Sequence, residues 1–365
     1  MIHIVTPSEP VYREHLFNKL HSELKCNFYS GNRFDGTKVV KPKLSRKEYN
    51  SLSFAKVFLW QKGLSQIKLN KKDVLVIVGN IKYLSNIPLV LRAKLKGVKI
   101  VWWGQVWSAG TTMPKMFLRV AFARLVSNHF LTYTDKEIEK VPKWLYPRRR
   151  MFATNNAMND IAVNEAKKNW GAERLNKFKV EKSLENKKVV LFCGRLTNKV
   201  DMPFALRVIK QISTVEPRIL FVVVGDGPNL EELKQQSKEL NLESNITWIG
   251  SIYDENYLAP WFLSSDVLFY PGAIGLSLTH AFHYQLPVLT HDKIENHMPE
   301  IAALEVGKNG EVYKKDNLNS AAEVLSNMLA DKEKLQKMGE HGQAMVKAKY
   351  SMESMVENFI KAVTF

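Results

Sequence analysis

The chain has 365 residues, of which 45% are hydrophobic and 24% charged, and this composition excludes a disordered chain, a collagen-like chain and a disulfide scaffold. At roughly 100 to 200 residues per domain, the length predicts two or three domains. The net charge of +17 is unevenly distributed: residues 1–150 contain 28 Lys and Arg against 9 Asp and Glu, whereas residues 151–365 contain 25 against 27. The first half is therefore expected to face an anionic partner, unless it is simply a solvated basic surface.

The amino terminus and one basic segment indicate where the protein acts. The opening sequence MIHIVTPSEPVYREH lacks the apolar segment of a secretory signal peptide, so we expect a cytoplasmic protein. Residues 143–150, KWLYPRRR, place aromatic side chains beside clustered cations, a pattern typical of contact with anionic lipid. The expected location is therefore peripheral, on the inner face of the cytoplasmic membrane.

Short β-rich runs alternate with helical patterns along the chain. In the first half we predict strands at 2–6, 26–30, 73–79, 99–103, 130–134 and 150–154, and helices at 84–96 and 114–128. In the second half we predict strands at 188–193, 219–224, 246–249, 267–270, 287–290 and 310–313, and helices at 201–214, 229–241, 254–264, 277–284, 319–329, 332–349 and 351–363. Continuous apolar runs such as VLVIV and ILFVVV indicate strands covered on both faces, and hence parallel sheets.

This alternation predicts an α/β protein with two doubly wound, Rossmann-like domains that face each other across a cleft. We place the first domain at 1–165, the second at 166–345 and a final helix within 346–365. The polar stretch 158–187 is the expected linker region. Ligands of such sheets bind at the carboxyl ends of the strands, so the loops that follow the strands are the places to look for a site.

The loop after the strand at 188–193 contains Gly194, Arg195 and Lys199. The glycine permits a tight turn. The two cations, four residues apart, can meet a diphosphate above the sheet, where Arg offers a planar fork and Lys a point charge. An ordinary turn between a strand and a helix would look similar, so this loop alone is weak evidence.

Two further glycine loops follow strands in the second half. The second loop, VGDGP at 224–228, allows the backbone to approach a ligand closely, although a turn that needs a positive φ is an equally good explanation. The third loop runs over 270–281, and the start of its helix offers backbone N–H groups to an anion. His280 lies about one turn into that helix, where it is either a ligand-binding or a structural histidine.

Together, these three loops resemble in order and spacing the nucleotide-sugar domain of family 4 retaining glycosyltransferases, which have the two-domain GT-B fold. The resemblance covers about 188–350. The matching motifs are Gly-Arg-Leu with a nearby Lys, Val-Gly-Asp-Gly-Pro, Ile-Gly-Ser at 249–251, the glycine loop, Leu-Pro-Val at 286–288 and Pro-Glu at 299–300.

The resemblance implies the transfer, with retention, of a sugar from a nucleoside diphosphate, UDP more than GDP, to a glycan or lipid-linked acceptor in surface polysaccharide or lipopolysaccharide assembly. Arg195 and Lys199 would hold the diphosphate and stabilise the leaving group. The implied donor-binding residues are Gly194, Gly225, Gly250, Ser251, Gly272, Ala273, Ile274, Gly275, Leu276, Ser277, His280 and Glu300. The implied acceptor-side residues are Tyr12, Arg13 and Trp103, with Gln105 as a catalytic position near the anomeric carbon.

The resemblance also implies that the last helix crosses back to the first domain and that neither a cofactor nor a divalent metal is needed. In agreement, the sequence contains no Asp-x-Asp motif, which metal-dependent sugar transferases would need. Two positions depart from the family pattern, which usually has two glutamates in the third loop, separated by seven residues. Here these positions are Gly272 and His280. Glu300 is a possible substitute for the first of them.

Three alternatives stay open. A catalytically inactive relative would bind a nucleotide, a glycan or a membrane without turnover. A sugar-nucleotide epimerase would release nucleotide and sugar without an acceptor. A nucleic-acid-binding protein is suggested only by the pI of about 9.6, and no recognised nucleic-acid motif supports it, so no nucleic-acid partner is expected.

Overall fold

The computed structural model of the chain describes residues 1–8, 13–31, 47–49, 51–54 and 58–364. The chain divides into two compact units. Unit 1 consists of Met1–Trp107, Thr111–Asn159 and Met352–Phe365, and unit 2 consists of Ser108–Gly110 and Asp160–Ser351. The main boundary therefore lies at 159–160 rather than at 165–166, and the last helix belongs to unit 1.

The strands of the described residues are β1 (Ile2–Thr6), β2 (Asn27–Gly31), β3 (Lys47–Tyr49), β4 (Ser51–Phe54), β5 (Phe58–Gln61), β6 (Val74–Val78), β7 (Lys99–Trp103), β8 (His129–Thr132), β9 (Met151–Ala153), β10 (Lys188–Cys193), β11 (Ile219–Val224), β12 (Ile246–Gly250), β13 (Val267–Phe269), β14 (Val288–His291) and β15 (Gly310–Tyr313). Strands β4 and β5 form an antiparallel hairpin, and every other strand belongs to a parallel sheet.

The helices of the same residues are α1 (Glu14–Leu24), α2 (Asn86–Leu95), α3 (Met113–Val126), α4 (Asp135–Lys140), α5 (Asp160–Asn169), α6 (Ala172–Glu181), α7 (Met202–Ser213), α8 (Leu230–Glu239), α9 (Glu255–Leu263), α10 (Leu276–His283), α11 (Leu318–Ala330), α12 (Lys332–Lys349) and α13 (Met352–Thr364).

Unit 1 is a parallel sheet with helices on both faces. Within the described residues the strand order is β3-β2-β1-β6-β7-β8-β9. Side chains of α2 and α3, such as Leu89 and Met116, share one apolar cluster with Trp102. Side chains of α1 and α13 share a second cluster with Trp103. The two neighbouring tryptophans therefore point to opposite faces of the sheet, as successive residues of a strand do.

Unit 2 is a second parallel sheet, all of which is described, with the strand order β12-β11-β10-β13-β14-β15. Strands β11 and β12 are added in turn on one side of β10. Strand β13 then pairs with the other side of β10, and β14 and β15 continue in that direction. Because such crossovers are right-handed, α7 and α10 lie on opposite faces. The carboxyl ends of the neighbouring strands β10 and β13 therefore form the switch point at which open α/β sheets bind ligands.

The predicted fold class, two doubly wound parallel α/β units, is confirmed. Each predicted strand and helix is present with its ends within two residues of the prediction. The region 158–187 needs a correction, because it contains α5 and α6 rather than an extended linker. Helix α5 packs against α9, and the Trp170 indole N–H donates to the Asn256 carbonyl at 2.6 Å. The polar composition concealed these helices because α5 buries only Val163 and Ala166.

One buried carboxylate, Glu137 of α4, fixes the loop that follows β7. Its Oε1 accepts hydrogen bonds from the backbone N–H groups of Val106 and Trp107 at 2.7 and 2.8 Å. Its Oε2 accepts from those of Tyr133 and Thr134 at 2.9 and 3.1 Å. The hydroxyl oxygen of Thr134 faces the backbone N–H of Glu137, which is the reciprocal half of a capping box at the start of α4. A single side chain thereby ties two loops of unit 1 together.

We expect Glu137→Gln to destabilise the protein by about 3 kcal/mol, because a glutamine amide cannot accept from four N–H groups and its own NH2 would face two of them. The matched control is Glu139→Gln in the same helix, where the side chain is 57% exposed and paired with Lys136. That change should cost less than about 0.5 kcal/mol. Urea unfolding followed by circular dichroism measures both, and equal losses in the two variants would contradict the role of Glu137.

Candidate active site

The first and second glycine loops of unit 2 pack against each other backbone to backbone. The N–H of Leu196 donates to the carbonyl of Asp226 at 2.9 Å. A Cβ added to Gly225 would lie 1.9 Å from the carbonyl oxygen of Gly194, and one added to Gly227 would lie 2.1 Å from that of Leu196. Both glycines are therefore required by the contact between the loops, and for Gly225 this packing is a sufficient reason for its presence.

The third loop packs against the first in the same way. The N–H of Ala273 donates to the carbonyl of Lys199 at 3.0 Å. A Cβ on Gly272 would lie 2.2 Å from that carbonyl oxygen and 2.6 Å from the Cα of Val200. The backbone of the 3-10 turn Asn198–Val200 thus occupies the space of a side chain at position 272. This is the physical reason for a glycine where the family pattern has a glutamate.

The two predicted diphosphate-binding cations, Arg195 and Lys199, are both exposed on the first loop. Because the backbone of that loop is hydrogen-bonded to the second and third loops, the Cα positions of both cations are fixed. Within the described part of the chain, no three His, Cys, Asp or Glu side chains are grouped as metal ligands would be. This edge of the sheet offers an anion the positive charges of these two side chains and the backbone N–H groups of its loops.

Helix α10 begins at the same edge, directly after Gly275. The hydroxyl of Ser277 donates to the carbonyl of Cys193 at 3.0 Å and so ties the first turn of the helix to the end of β10. A Cβ on Gly275 would lie 3.3 Å from the Cβ of Met298 and 3.6 Å from Oε2 of Glu300, which is buried. The structure thus brings Glu300 beside the predicted donor loop 272–277. The hydroxyl of Ser277, in contrast, is already used in the hydrogen bond to the carbonyl of Cys193.

The loop after β12 holds two further predicted donor-binding residues. Gly250 has a φ of 81°, and a Cβ there would meet open space, so its backbone conformation rather than crowding favours glycine. Its carbonyl accepts from the N–H of Gly225 at 2.8 Å, and Ser251 is exposed. The four loops after β10, β11, β12 and β13 therefore form one connected edge.

His280 is buried in α10, and its Nε2 lies 2.8 Å from Oε1 of Glu255, the first residue of α9. The hydroxyl of Tyr284 donates to the same oxygen at 2.6 Å. Burial raises the pKa of Glu255, but the contacts with His280 and Tyr284 outweigh it, so the pKa lies below its usual value. Sequence reasoning singled out His280 and missed Glu255, whose position just after the Gly250–Ser251 loop was the available signal.

Two buried histidines, His291 and His297, support the third loop. The N–H of Ile274 donates to Nδ1 of His297 at 3.3 Å, and Nε2 of His297 lies 3.0 Å from the carbonyl of His291. The two rings stack with their centroids 4.0 Å apart. With its proton on Nε2, a neutral His297 accepts from the N–H of Ile274 and donates to the carbonyl of His291. Burial lowers the pKa of His297 and lowers that of His291 to about 4.

The predicted acceptor-side residues lie in unit 1, except that Tyr12 is outside the described residues. Arg13 is buried, donates to the hydroxyl of Tyr133 at 2.9 Å and lies 4.4 Å above the ring of Trp103. Trp103 is fully buried and packs edge-on against Phe359, so it is a core residue and not a sugar platform. Gln105 is partly exposed.

We expect His297→Asn to reduce the pH dependence of stability. An unfolded histidine takes up a proton as the pH falls below about 6.5, whereas His297 resists protonation in the fold, so the free energy of unfolding falls by up to about 1.4 kcal/mol per pH unit per histidine as the pH is lowered toward about 5. The shorter amide can still accept from the N–H of Ile274 but does not titrate. Urea unfolding at several pH values measures this slope.

The control is His341→Asn, which removes a half-exposed histidine of the same unit that pairs with Glu305. It should not flatten the dependence. An unchanged slope in His297→Asn would mean that this ring is not held neutral by the third loop.

Residues 173–345 match the family model "Glycosyl transferases group 1". Among curated proteins, the chain is 25% identical over 206 residues to spore coat protein SA of Bacillus subtilis (strain 168), which is 53% of this chain and 52% of that protein. It is 27% identical over 127 residues to 2-deoxystreptamine N-acetyl-D-glucosaminyltransferase of Niallia circulans, which is 35% of this chain and 31% of that protein. The chain thus matches about half or less of the length of these relatives.

Solved structures match over the full length. The UDP complex of Anabaena Alr3699/HepE superposes with a TM-score of 0.75 at 13% identity and covers 100% of this chain and 99% of that one. The lipopolysaccharide outer core galactosyltransferase WaaB superposes with a TM-score of 0.68 at 14% identity and covers 99% and 98%. Residues 173–345 are therefore similar to the group 1 glycosyl transferases, and the chain as a whole is similar in fold to the GT-B glycosyltransferases.

Proposed function

We propose that this chain is a retaining glycosyltransferase that moves a sugar from a nucleoside diphosphate to a glycan or lipid-linked acceptor in surface polysaccharide assembly. The observation that carries the proposal is the edge of unit 2 at its switch point. There, the exposed cations Arg195 and Lys199 and the first turn of α10 meet on loops locked together by their backbones. Such an edge suits a diphosphate, because cations and helix N-termini both attract anions.

UDP is the donor nucleotide that we favour. HepE was crystallised in complex with UDP, and a second structure of the same protein is a complex with UDP-glucose. The relative from Niallia circulans is named as an N-acetyl-D-glucosaminyltransferase and WaaB as a galactosyltransferase. Both names describe hexosyl transfer, which supports a hexose-type donor for this chain.

In the proposed reaction, negative charge grows on the departing diphosphate as the bond to the sugar breaks. Arg195 and Lys199 stabilise that charge with charge-assisted hydrogen bonds, and the N–H groups at the start of α10 add theirs. We propose that these groups act without a divalent metal. We assign the loop from Gly272 to Ser277 and Glu300 to the sugar of the donor. Gln105 of unit 1 is the further catalytic residue that we propose.

We expect Arg195→Ala to lower kcat/KM about 100-fold, because it removes charge stabilisation that is needed mainly in the transition state. Release of UDP from a panel of UDP-sugars, with and without a metal chelator, measures this effect. The control is Arg218→Ala, which removes an exposed cation paired with Glu216 at the opposite, amino end of β11 in the same sheet. Activity of Arg195→Ala within about threefold of the original protein would contradict the assignment.

Ligand-induced thermal stabilisation tests the donor class. Saturation at about 100 times the dissociation constant adds roughly 2.7 kcal/mol of stability, which is readily seen as a shift in the melting temperature. We expect UDP to give this shift, and GDP, ADP and CMP to give less. A shift with UDP but no sugar transfer to any acceptor would favour the inactive, nucleotide-binding relative.

We also propose that unit 1 docks on an anionic membrane. Residues 74–134 contain eight Lys and Arg and no Asp or Glu. Helices α2 and α3 lie in this stretch, and both cover the same face of the sheet, because they connect β6 to β7 and β7 to β8 in the same direction. The Lys94 ammonium of α2 donates to the Leu125 carbonyl of α3, so the two helices are neighbours.

The outer faces of these two helices carry exposed apolar side chains. On α2 they are Ile87, Leu91 and Leu95, spaced four residues apart, and on α3 they include Leu118 and Leu125, seven residues apart. Leu95 is 89% and Leu125 is 70% exposed. These spacings place each set on one stripe of its helix, away from the core. Apolar stripes in a segment without carboxylates suit the interface of an anionic bilayer.

No helix of the described residues has the length and apolar character needed to cross a bilayer. The proposed contact is therefore made by side chains that enter the headgroup region. Trp144 is 73% exposed, stacks on Phe117 of α3 and is followed by the exposed cations Arg148, Arg149 and Arg150, which extend the same kind of surface.

We expect the double variant Leu91→Glu/Leu118→Glu to lower binding to vesicles of mixed neutral and anionic phospholipid about tenfold or more, because it removes apolar contact and adds repulsion. Co-sedimentation at low and high salt measures the binding. The control is Val215→Glu, which changes an apolar residue of unit 2 that is more exposed than Leu91 or Leu118. Equal binding of the double variant and the control would contradict the docking surface.

A further inference from the structure

Glu255 is partly buried, and its two carboxylate oxygens differ in the hydrogen bonds that they accept. Its side chain is 19% exposed. Oε1 receives both nearby donors, His280 at 2.8 Å and Tyr284 at 2.6 Å. A carboxylate oxygen that accepts two such bonds is saturated, whereas among the described residues Oε2 has no hydrogen-bond partner. The side chain is thus held by one oxygen and presents the other.

The carboxylate lies at the switch point of unit 2. Its partner His280 lies about one turn into α10, the helix that follows the third loop. Cys193 ends β10, and its carbonyl accepts from Ser277 at the start of α10. Glu255 therefore stands beside the first loop and the third, where the proposed diphosphate is bound.

We propose that Glu255 binds a hydroxyl group of the donor's ribose, and that His280 and Tyr284 act as positioning residues for it. This assignment rests on the proposed function. A negative carboxylate repels the phosphates, so within the donor it can accept only from hydroxyl or N–H groups. Glu255 follows Ser251, one of the proposed donor-binding residues, by four residues. The donor carries hydroxyl groups on its sugar and on its ribose. Because the proposed site assigns the loop from Gly272 to Ser277 and Glu300 to the sugar, the ribose is the part that we assign to Glu255.

The same arrangement accounts for the histidine at position 280. Where the family pattern has a glutamate, this chain has an imidazole whose Nε2 meets the carboxylate of another helix. A neutral or charged imidazole with its proton on Nε2 donates to Glu255 and fixes its orientation. The carboxylate is thereby supplied by α9 instead of α10.

The test compares UDP with 2′-deoxy-UDP and 3′-deoxy-UDP by isothermal titration calorimetry, using the full chain without acceptor. The original protein should bind UDP about tenfold more tightly than at least one deoxy analogue, because a hydroxyl–carboxylate bond is lost. In Glu255→Gln that ratio should fall to about threefold or less, because the charge-assisted bond is gone. An unchanged ratio in the variant overturns the proposal.

The matched control is Glu239→Gln, which removes an exposed carboxylate of α8 in the same unit, where it accepts from the Gln235 amide. Its preference for UDP over the deoxy analogue should stay within about twofold of the original ratio. Should Glu255→Gln fail to fold, Glu255→Asp serves instead, since it keeps the charge but withdraws it by one methylene and should also lose the preference. Equal binding of UDP and both analogues by the original protein overturns the proposal without any variant.

The outcomes separate this inference from the proposed function. Tight UDP binding without any preference for the ribose hydroxyls contradicts the role of Glu255 alone. If UDP does not bind, the same comparison is made with GDP and its 2′-deoxy and 3′-deoxy analogues. Failure of both nucleotides to bind contradicts the proposed donor, and the assignment of Glu255 with it.

Discussion

The edge of unit 2 depends on backbone contacts that leave no room for side chains. Positions 225 and 227 press the second loop against the first, and position 272 presses the third loop against the same segment. At each of these positions an added Cβ would lie about 2 Å from a carbonyl oxygen, far inside van der Waals contact. Glycine at these three positions therefore fixes the backbone positions of Arg195 and Lys199, because the second and third loops hold the first loop from both sides.

The buried Glu137 and the partly buried Glu255 differ in how their carboxylate oxygens accept hydrogen bonds, and this difference separates a structural role from a binding role. Glu137 accepts from four backbone N–H groups, two on each oxygen, so it has little left to offer and its role is to hold loops. Glu255 accepts from two side chains on a single oxygen. A carboxylate that neighbours orient by one oxygen is prepared to bind with the other. Both residues lie in the first turn of short helices, where acidic side chains are favoured by the helix dipole.

Much of the fold was predictable because it depends on local patterns. The apolar runs of β10 and β11, the glycine after each strand and the 3.6-residue periodicity of α7 each indicated their element directly. The helices α5 and α6 were not predictable, because α5 buries only two residues and α6 none, so their sequences look like solvated chain. The linker expected there is instead part of unit 2. Likewise, the tryptophan at 103 stands at a strand end in sequence, and only its packing against Phe359 shows that it belongs to the core.

The sequence by itself determined the alternating strands and helices, the glycine loops at strand ends, the cations at 195 and 199, and the basic character of the first half, since each depends on residue type and spacing alone. Only the tertiary structure decided which side chains meet across long separations. Glu255 and His280 are 25 residues apart, and Ile274 and His297 are 23 apart. No local pattern encodes such contacts, because they arise when parallel strands bring separate loops to one edge of a sheet.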